Sequence, residues 1–361
     1  MARDSDVVVA VDVGGTKLAA ALVDRAGEIV VADRVATPPG GDAPTLWKAL
    51  AGLVDSVLEG QPGREVIGVG AGCGGPMAWP EGVVSPLNMP GWRDFPLRER
   101  LAGRFPGLPA RVHNDAICVA VAEHWRGAGQ ESDDMLGMVV STGVGGGLIL
   151  GGRLIDGGTG NAGHIGHVAV DPDGPACGCG GRGCLEAVAR GPGLAAWALE
   201  QGWIPGRLSG TNAEAPTTAA GASTTGTGAS TTGAEAGDFR TGARPAGTYV
   251  EAAEATGRQL SADAAAGDEI ALGAMTRAGT ALGIAIASAT HMCDLDIVTI
   301  GGGLSQAGPL LFEPLEAALR AHARMDFAKR VRVVPAHLGQ DAGLIGAAAL
   351  VLAPDRYWTA H

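Results

Sequence analysis

Val7–Val11 is an unbroken apolar run, mostly β-branched, which predicts a buried strand. It ends at Asp12-Val-Gly-Gly-Thr-Lys17, and a second apolar run, Leu18–Val23, follows. Strand, glycine turn and strand predict a β-hairpin. Ile29–Val35 extends the same sheet through the turn Arg25-Ala-Gly-Glu28. In Thr45–Glu59 the apolar positions Leu46, Leu50, Leu53, Val54 and Leu58 recur at helical spacing. Val66–Val69 reads as a strand closed by the glycine-rich Gly70–Pro76, and Ala116–Trp125 as a helix starting just after Asn114-Asp115.

The hairpin pattern then returns. Met138–Ser141 predicts a strand, Thr142-Gly-Val-Gly-Gly-Gly147 its turn, and Leu148–Leu150 the return strand. Such a repeat suits a duplicated α/β architecture whose two glycine turns face each other across a cleft, an arrangement fit for a polyanion. Ser209–Gly247 differs in kind: Gly, Ala, Thr and Ser supply 30 of its 39 residues, so it is expected to be a flexible insertion. Helical patterns resume over Tyr249–Met292, Ile297–Ile300 predicts a strand running into Gly301-Gly-Gly303, and Asp341–Leu352 a final helix capped by Asp341.

Glycine is the compositional anomaly, with 60 of 361 residues. Collagen is excluded because glycine does not recur every third residue. General disorder conflicts with 46% hydrophobic content, which leaves a fold with many tight turns or close backbone approaches. The net charge of 26 − 38 = −12, with no basic run, argues against nucleic acid as a partner. No stretch of eighteen uninterrupted apolar residues is present and the N-terminal apolar run is too short for a signal peptide, so a cytoplasmic chain without a membrane span is expected.

Several residue sets could carry chemistry. The turn after Asp12 is either an ordinary hairpin turn or a phosphate cradle. In the second case the N–H groups of Gly14 and Gly15 and the Thr16 hydroxyl approach phosphate oxygens, and Asp12 holds Mg²⁺ through water. In His113-Asn114-Asp115 a carboxylate between strand and helix is either a helix cap or a general base. His167, Cys177, Cys179 and Cys184 form a Cys₃His set that would close a structural zinc site. His164 is left open between a ligand and a solvated or core histidine. Cys73, Cys118 and Cys293 read as core residues, Trp79 and Trp92 as cleft lining or packing, and Gly301–Gly303 as a weak candidate for an adenosine contact.

Together these motifs resemble the ROK family of bacterial sugar kinases and related repressors. Asp12–Lys17, Pro86-Leu-Asn-Met-Pro-Gly-Trp92, Asn114-Asp115, Ser141–Gly147, the His167/Cys177/Cys179/Cys184 spacing, Glu186 and Gly301–Gly303 carry the resemblance. It implies an α/β, actin-like ATPase (ribonuclease H-like) fold with two lobes, 1–115 plus 341–361 and 116–340, around an ATP and sugar cleft. It implies ATP-dependent phosphorylation of the 6-hydroxyl of a hexose or N-acylhexosamine, with Asp115 as base. Asn88, Asn114, His164, His167 and Glu186 match sugar-contacting positions. Asp12, Gly14, Gly15, Thr16, Lys17, Thr142, Gly143, Val144, Gly145, Gly146, Gly302 and Gly303 match the nucleotide-binding turns. The implied cofactors are ATP, Mg²⁺ and a structural Zn²⁺, and a homodimer is expected by analogy.

One departure bears on the substrate. Most family kinases read Glu-x-Gly-His where this chain reads His164-Ile-Gly-His167. Ala162-Gly-His-Ile-Gly-His167 is similar to members acting on N-acetylmannosamine in sialic acid catabolism, so that sugar is expected ahead of glucose. Repressors of the family carry a DNA-binding module ahead of the first glycine turn. Here that turn begins at residue 12, so a repressor is not expected.

Overall fold

The computed structural model describes residues 3, 5–210 and 257–358. Two five-stranded sheets organise them. The first has the order β3(Ile29–Ala36)–β2(Lys17–Asp24)–β1(Asp6–Val13)–β4(Glu65–Cys73)–β8(Ala110–Asn114). The second has the order β11(Arg153–Ile155)–β10(Val144–Leu150)–β9(Met135–Val140)–β12(Ile297–Gly301)–β13(Arg332–Pro335). In each, a central strand pairs antiparallel with the hairpin partner on one side and parallel with the next strand on the other. The two hairpins are thus the same device used twice. Three two-residue strands, β5(Met77–Ala78), β6(Val83–Val84) and β7(Phe95–Pro96), form a small separate sheet.

Strand β1 reads as a continuous apolar run because both its faces are covered. Val7, Val9, Val11 and Val13 pack with α1(Ala43–Glu59) and α2(Leu97–Arg104), while Val8 and Ala10 face a different core. That second core holds α3(Asp115–Arg126) and α9(Ala342–Leu352) between the two sheets, with Met135, Ile149 and Ile297 contributed by the second sheet. The outer face of the second sheet carries a third core. It is built with α4(Leu185–Ala189), α5(Gly191–Glu200), α6 (its described part is 257–265), α7(Glu269–Cys293) and α8(Pro309–His322). Helix α7 is long and apolar enough to cross a membrane, yet 61% of its most apolar stretch is buried inside the protein, as a core helix requires.

Two predicted boundaries are corrected, and glycine is the cause both times. The loop expected from Gly70 is strand as far as Cys73. A Cβ on Gly70 would stand 1.9 Å from the carbonyl oxygen of Ala347, so glycine there lets α9 lie directly on the sheet. The second turn is shorter than expected, because Val144–Gly147 already belong to β10 and only residues 141–143 connect the strands. A Cβ on Gly145 would stand 2.7 Å from the Ala116 Cβ, and one on Gly147 2.9 Å from that of Ala120. These glycines admit α3 rather than make a turn. Helices α3 and α9 also cross backbone to backbone, since a Cβ on Gly346 would fall 1.7 Å from the Cys118 carbonyl oxygen. Asp341 does not cap α9 with its side chain; it pairs instead with Arg34. The 209–247 segment, apart from residues 209–210, lies outside the described residues, as does 249–256 of the helical pattern expected from Tyr249.

Glu123, fully buried on α3, was not singled out by any sequence motif. Its Oε2 accepts the N–H groups of Ala128 at 2.9 Å and His337 at 3.0 Å, and its Oε1 that of Leu338 at 2.8 Å. The carboxylate fastens α3 to the segment leading into α9. Glu123→Ala leaves these donors without their partner and is expected to lower unfolding free energy by about 2 kcal/mol. A denaturant titration showing an unchanged midpoint would contradict this.

Candidate active site

Asp12, near the end of β1, points its carboxylate at the start of α9: a Cβ on Gly343 would stand 2.9 Å from its Oδ2. Burial, and then the charge of Asp115, raise its pKa to about 6, with Lys17 and Arg34 opposing. The folded state therefore holds this proton more tightly than the unfolded chain, whose carboxyl titrates near 3.8. Ionised Asp12 costs stability above the folded value, and the cost fades as pH falls from about 6 towards 3.8. Asp12→Asn is expected to raise stability at pH 7.5 by up to about 3 kcal/mol, since one pKa unit is about 1.4 kcal/mol. The gain should shrink at pH 4.5. Equal melting shifts at the two pH values would refute the assignment.

The turn after Asp12 is tight. Gly14 N–H donates to the Lys17 carbonyl at 3.0 Å, and the Thr37 hydroxyl donates to the Gly14 carbonyl at 2.7 Å. Thr16 is exposed at its tip, and Lys17 Nζ lies 3.4 Å from Gln340 Oε1. Asn88 leans on this turn, its Nδ2 standing 2.7 Å from where a Cβ on Gly15 would be.

Asn114 caps α3, its Oδ1 accepting the Ala116 N–H at 3.0 Å. The cap reading therefore holds for Asn114, while Asp115 is the first helical residue. Asp115 Oδ1 shares the Ala116 N–H at 2.9 Å. Its Oδ2 and Asn88 Oδ1 stand 3.8 and 3.9 Å from where a Cβ on Gly74 would be, so both face one opening. Burial raises the Asp115 pKa, against the Ala116 N–H and His164.

The second hairpin meets this group from the other side. Glu186, in the first turn of α4, accepts the Val144 N–H at 3.0 Å. Its Oε2 lies 2.9 Å from where a Cβ on Gly143 would stand, so the connection at Thr142-Gly143 is packed against it. Gly302 has φ +90°, and a Cβ there would meet the Val140 carbonyl oxygen at 2.3 Å. Gly303 is exposed beside Ser141 of the same connection. Gly145 and Gly146 lie within β10, where their neighbours are α3 and the Gly163 carbonyl.

His164 precedes and His167 ends a short 3₁₀ turn, their rings edge to face at 4.9 Å. Burial and then His167 lower the His164 pKa, with Glu186 and Asp115 opposing. His167, Cys177, Cys179 and Cys184 offer four ligand atoms all within 4.8 Å of one another. His167 Nδ1 is 3.7 Å from Cys177 Sγ, and Cys179 Sγ is 3.7 Å from Cys184 Sγ. Tetrahedral zinc with bonds of about 2.3 Å to sulfur and about 2.0 Å to nitrogen needs ligand separations of about 3.5 to 3.8 Å. The set fits. Burial and the neighbouring Cys179 and Cys177 push the Cys184 thiol up to about 12, so a cation is what would let these sulfurs ionise together.

The ROK family model matches residues 8–353. The chain belongs to the ROK family. Over 346 residues it is 33% identical to a glucokinase of Halalkalibacterium halodurans, covering 95% of this chain and 94% of that one. Over 339 residues it is 33% identical to an N-acetylmannosamine kinase of Yersinia pseudotuberculosis, covering 94% and 96%. Among solved structures, a ROK family glucokinase from Streptomyces griseus in complex with glucose and AMPPNP matches with TM-score 0.72 at 31% identity, covering 96% of this chain and 99% of that one. The fold is the actin-like ATPase fold of ROK sugar kinases.

Within this ROK chain the expected core cysteines Cys73 and Cys118 are buried, and Cys293 is partly so. Trp92 is packing: it is buried and stacks on Phe95 at 4.1 Å. Trp79 is only half-buried and lies over His113 at 5.8 Å. The site's least legible member is Asp156, just after β11, whose Oδ1 is 2.8 Å from His113 Nε2. No spacing rule links an aspartate to a histidine 43 residues away on another sheet.

Proposed function

We propose that the chain transfers the γ-phosphoryl group of ATP to the 6-hydroxyl of an N-acylhexosamine, first of all N-acetylmannosamine. The observation that carries the kinase reading is Asp115: a half-buried carboxylate at the head of α3, facing the same opening as Asn88 and next to Asn114. A hydroxyl bound there hands its proton to the Asp115 carboxylate as its oxygen attacks phosphorus. Asn88, Asn114, His164, His167 and Glu186 hold the sugar. Gly14, Gly15, Thr16, Lys17, Thr142 and Gly143 face the phosphates, with Val144, Gly145 and Gly146 supporting that edge and Gly302-Gly303 the nucleoside. Mg²⁺ accompanying ATP would neutralise charge, and Asp12 is placed to hold it through water.

His167 would use Nδ1, the nitrogen beside Cys177, for zinc, which leaves Nε2 for the sugar. His167, Cys177, Cys179 and Cys184 would then fix the sugar loop rather than take part in the chemistry.

The choice of sugar is supported by Ala162-Gly-His-Ile-Gly-His167 and by the N-acetylmannosamine kinase relative. Glucose is the second reading, supported by the equally similar glucokinase. A coupled ADP-release assay across N-acetylmannosamine, glucose, N-acetylglucosamine and mannose separates them, with phosphorus NMR giving the position of the new ester. A glucose kcat/KM well above that for N-acetylmannosamine would overturn the substrate choice.

A further inference from the structure

We propose that the buried Asp156–His113 pair is a positioning pair, holding Asn114 and Asp115 in register with the loop that carries His164 and His167. The proposal rests on the kinase reading above.

The pair joins the edges of the two sheets. His113 lies in β8, the edge of the first sheet; Asp156 follows β11, the edge of the second. Their side chains are 0% and 4% exposed, so water does not compete for the bond between them. The ring's protonation follows from its partners. His113 Nδ1 accepts the Asn114 N–H at 2.8 Å, so Nε2 carries the proton and donates to Asp156 Oδ1 at 2.8 Å.

From this pair a relay of hydrogen bonds, joined through the covalent frame of Asn114, reaches the base. Asp156 holds the His113 ring, and the ring holds the Asn114 amide. The Asn114 side chain holds the Ala116 N–H, which Asp115 Oδ1 shares. On its other side, the Asp156 carbonyl accepts the Ala162 N–H at 3.1 Å and so starts the turn leading to His164. One residue therefore anchors both the strand end that presents the base and the loop that presents the sugar contacts. Trp79 covers the pair, and the loop is pinned to Trp79 at Gly160, where a Cβ would stand 2.5 Å from the indole Cγ. Neither His113 nor Asp156 touches the reacting atoms. Their effect is on geometry, and a displacement of about 1 Å can cost about 100-fold in rate.

The test uses the full chain with Asp156→Asn, Asp156→Ala and the double variant His113→Phe/Asp156→Ala, read by melting temperature and by steady-state kinetics. The double variant removes both polar partners and so avoids leaving one charge buried alone. Asp156→Ala and the double variant are expected to lose about 10- to 100-fold in kcat with KM for ATP unchanged. Asp156→Asn, whose amide oxygen still accepts the Nε2 proton, should retain most of kcat. If Asp156→Ala does not fold, the comparison of Asp156→Asn with the double variant decides. A folded double variant with wild-type kcat overturns the proposal, as does an equal kcat loss in Asp156→Asn and Asp156→Ala. A wild-type chain inactive on all four sugars overturns the kinase reading and this inference with it.

Discussion

Asp115→Ala is expected to lower kcat by between about 100- and 10,000-fold, the span typical of a lost general base, while the protein keeps its fold. The fold should survive because Asn114, not Asp115, supplies the α3 cap, and because burial makes ionised Asp115 a cost to stability. With its pKa raised, Asp115 loses its proton only at higher pH than an ordinary carboxyl. The acid limb of kcat/KM should therefore fall at a pH above the usual carboxylate range, and the alanine variant should lack that limb. Turnover near the wild-type level in Asp115→Ala would remove Asp115 from the chemistry. ATP binding, measured separately, should survive the substitution, because the glycine turns do not depend on that carboxyl.

Cys184→Ser is expected to reduce bound zinc from one equivalent per chain to a small fraction. The remaining three ligands cannot close a tetrahedron, and a serine hydroxyl is a poor donor. Cys184 also ends the strand-like bridge to Ala169 and precedes α4, so the loop that bears His167 and the helix that bears Glu186 loosen together. KM for the sugar should rise by at least about 10-fold, more than KM for ATP. Metal analysis showing far less than one equivalent in active wild-type protein would dismiss the zinc assignment. Because thiols must lose protons to bind the ion, zinc retention should weaken as pH falls.

What the sequence discloses depends on how local the cause is. The β1–β2 hairpin is legible because apolar runs and their turn lie within a few residues of each other. The cluster of His167, Cys177, Cys179 and Cys184 is legible because its four donors lie within 18 residues of one another. The reach of β4 and β10 is not, because glycine signals a turn in a local reading. Here it signals a helix backbone arriving from far along the chain, such as Ala347 against Gly70. The same holds for Glu123, whose partners His337 and Leu338 are over 200 residues away, and for the His113–Asp156 pair. Asp341 shows the reverse error: a good local cap signal is overruled by Arg34 on β3.

The crossing of α3 and α9 at Gly346 has a further consequence. Asp115 heads one helix and Asp12 sits against the head of the other. Since the two helices meet without intervening side chains, the spacing of these acids is set by a rigid fork in the middle of the molecule. Asn88, His164 and His167, by contrast, hang from the segments 74–92 and 156–167. On the proposed kinase reading, substitutions in those segments would change the sugar accepted, while the fork keeps the spacing of Asp12 and Asp115 constant.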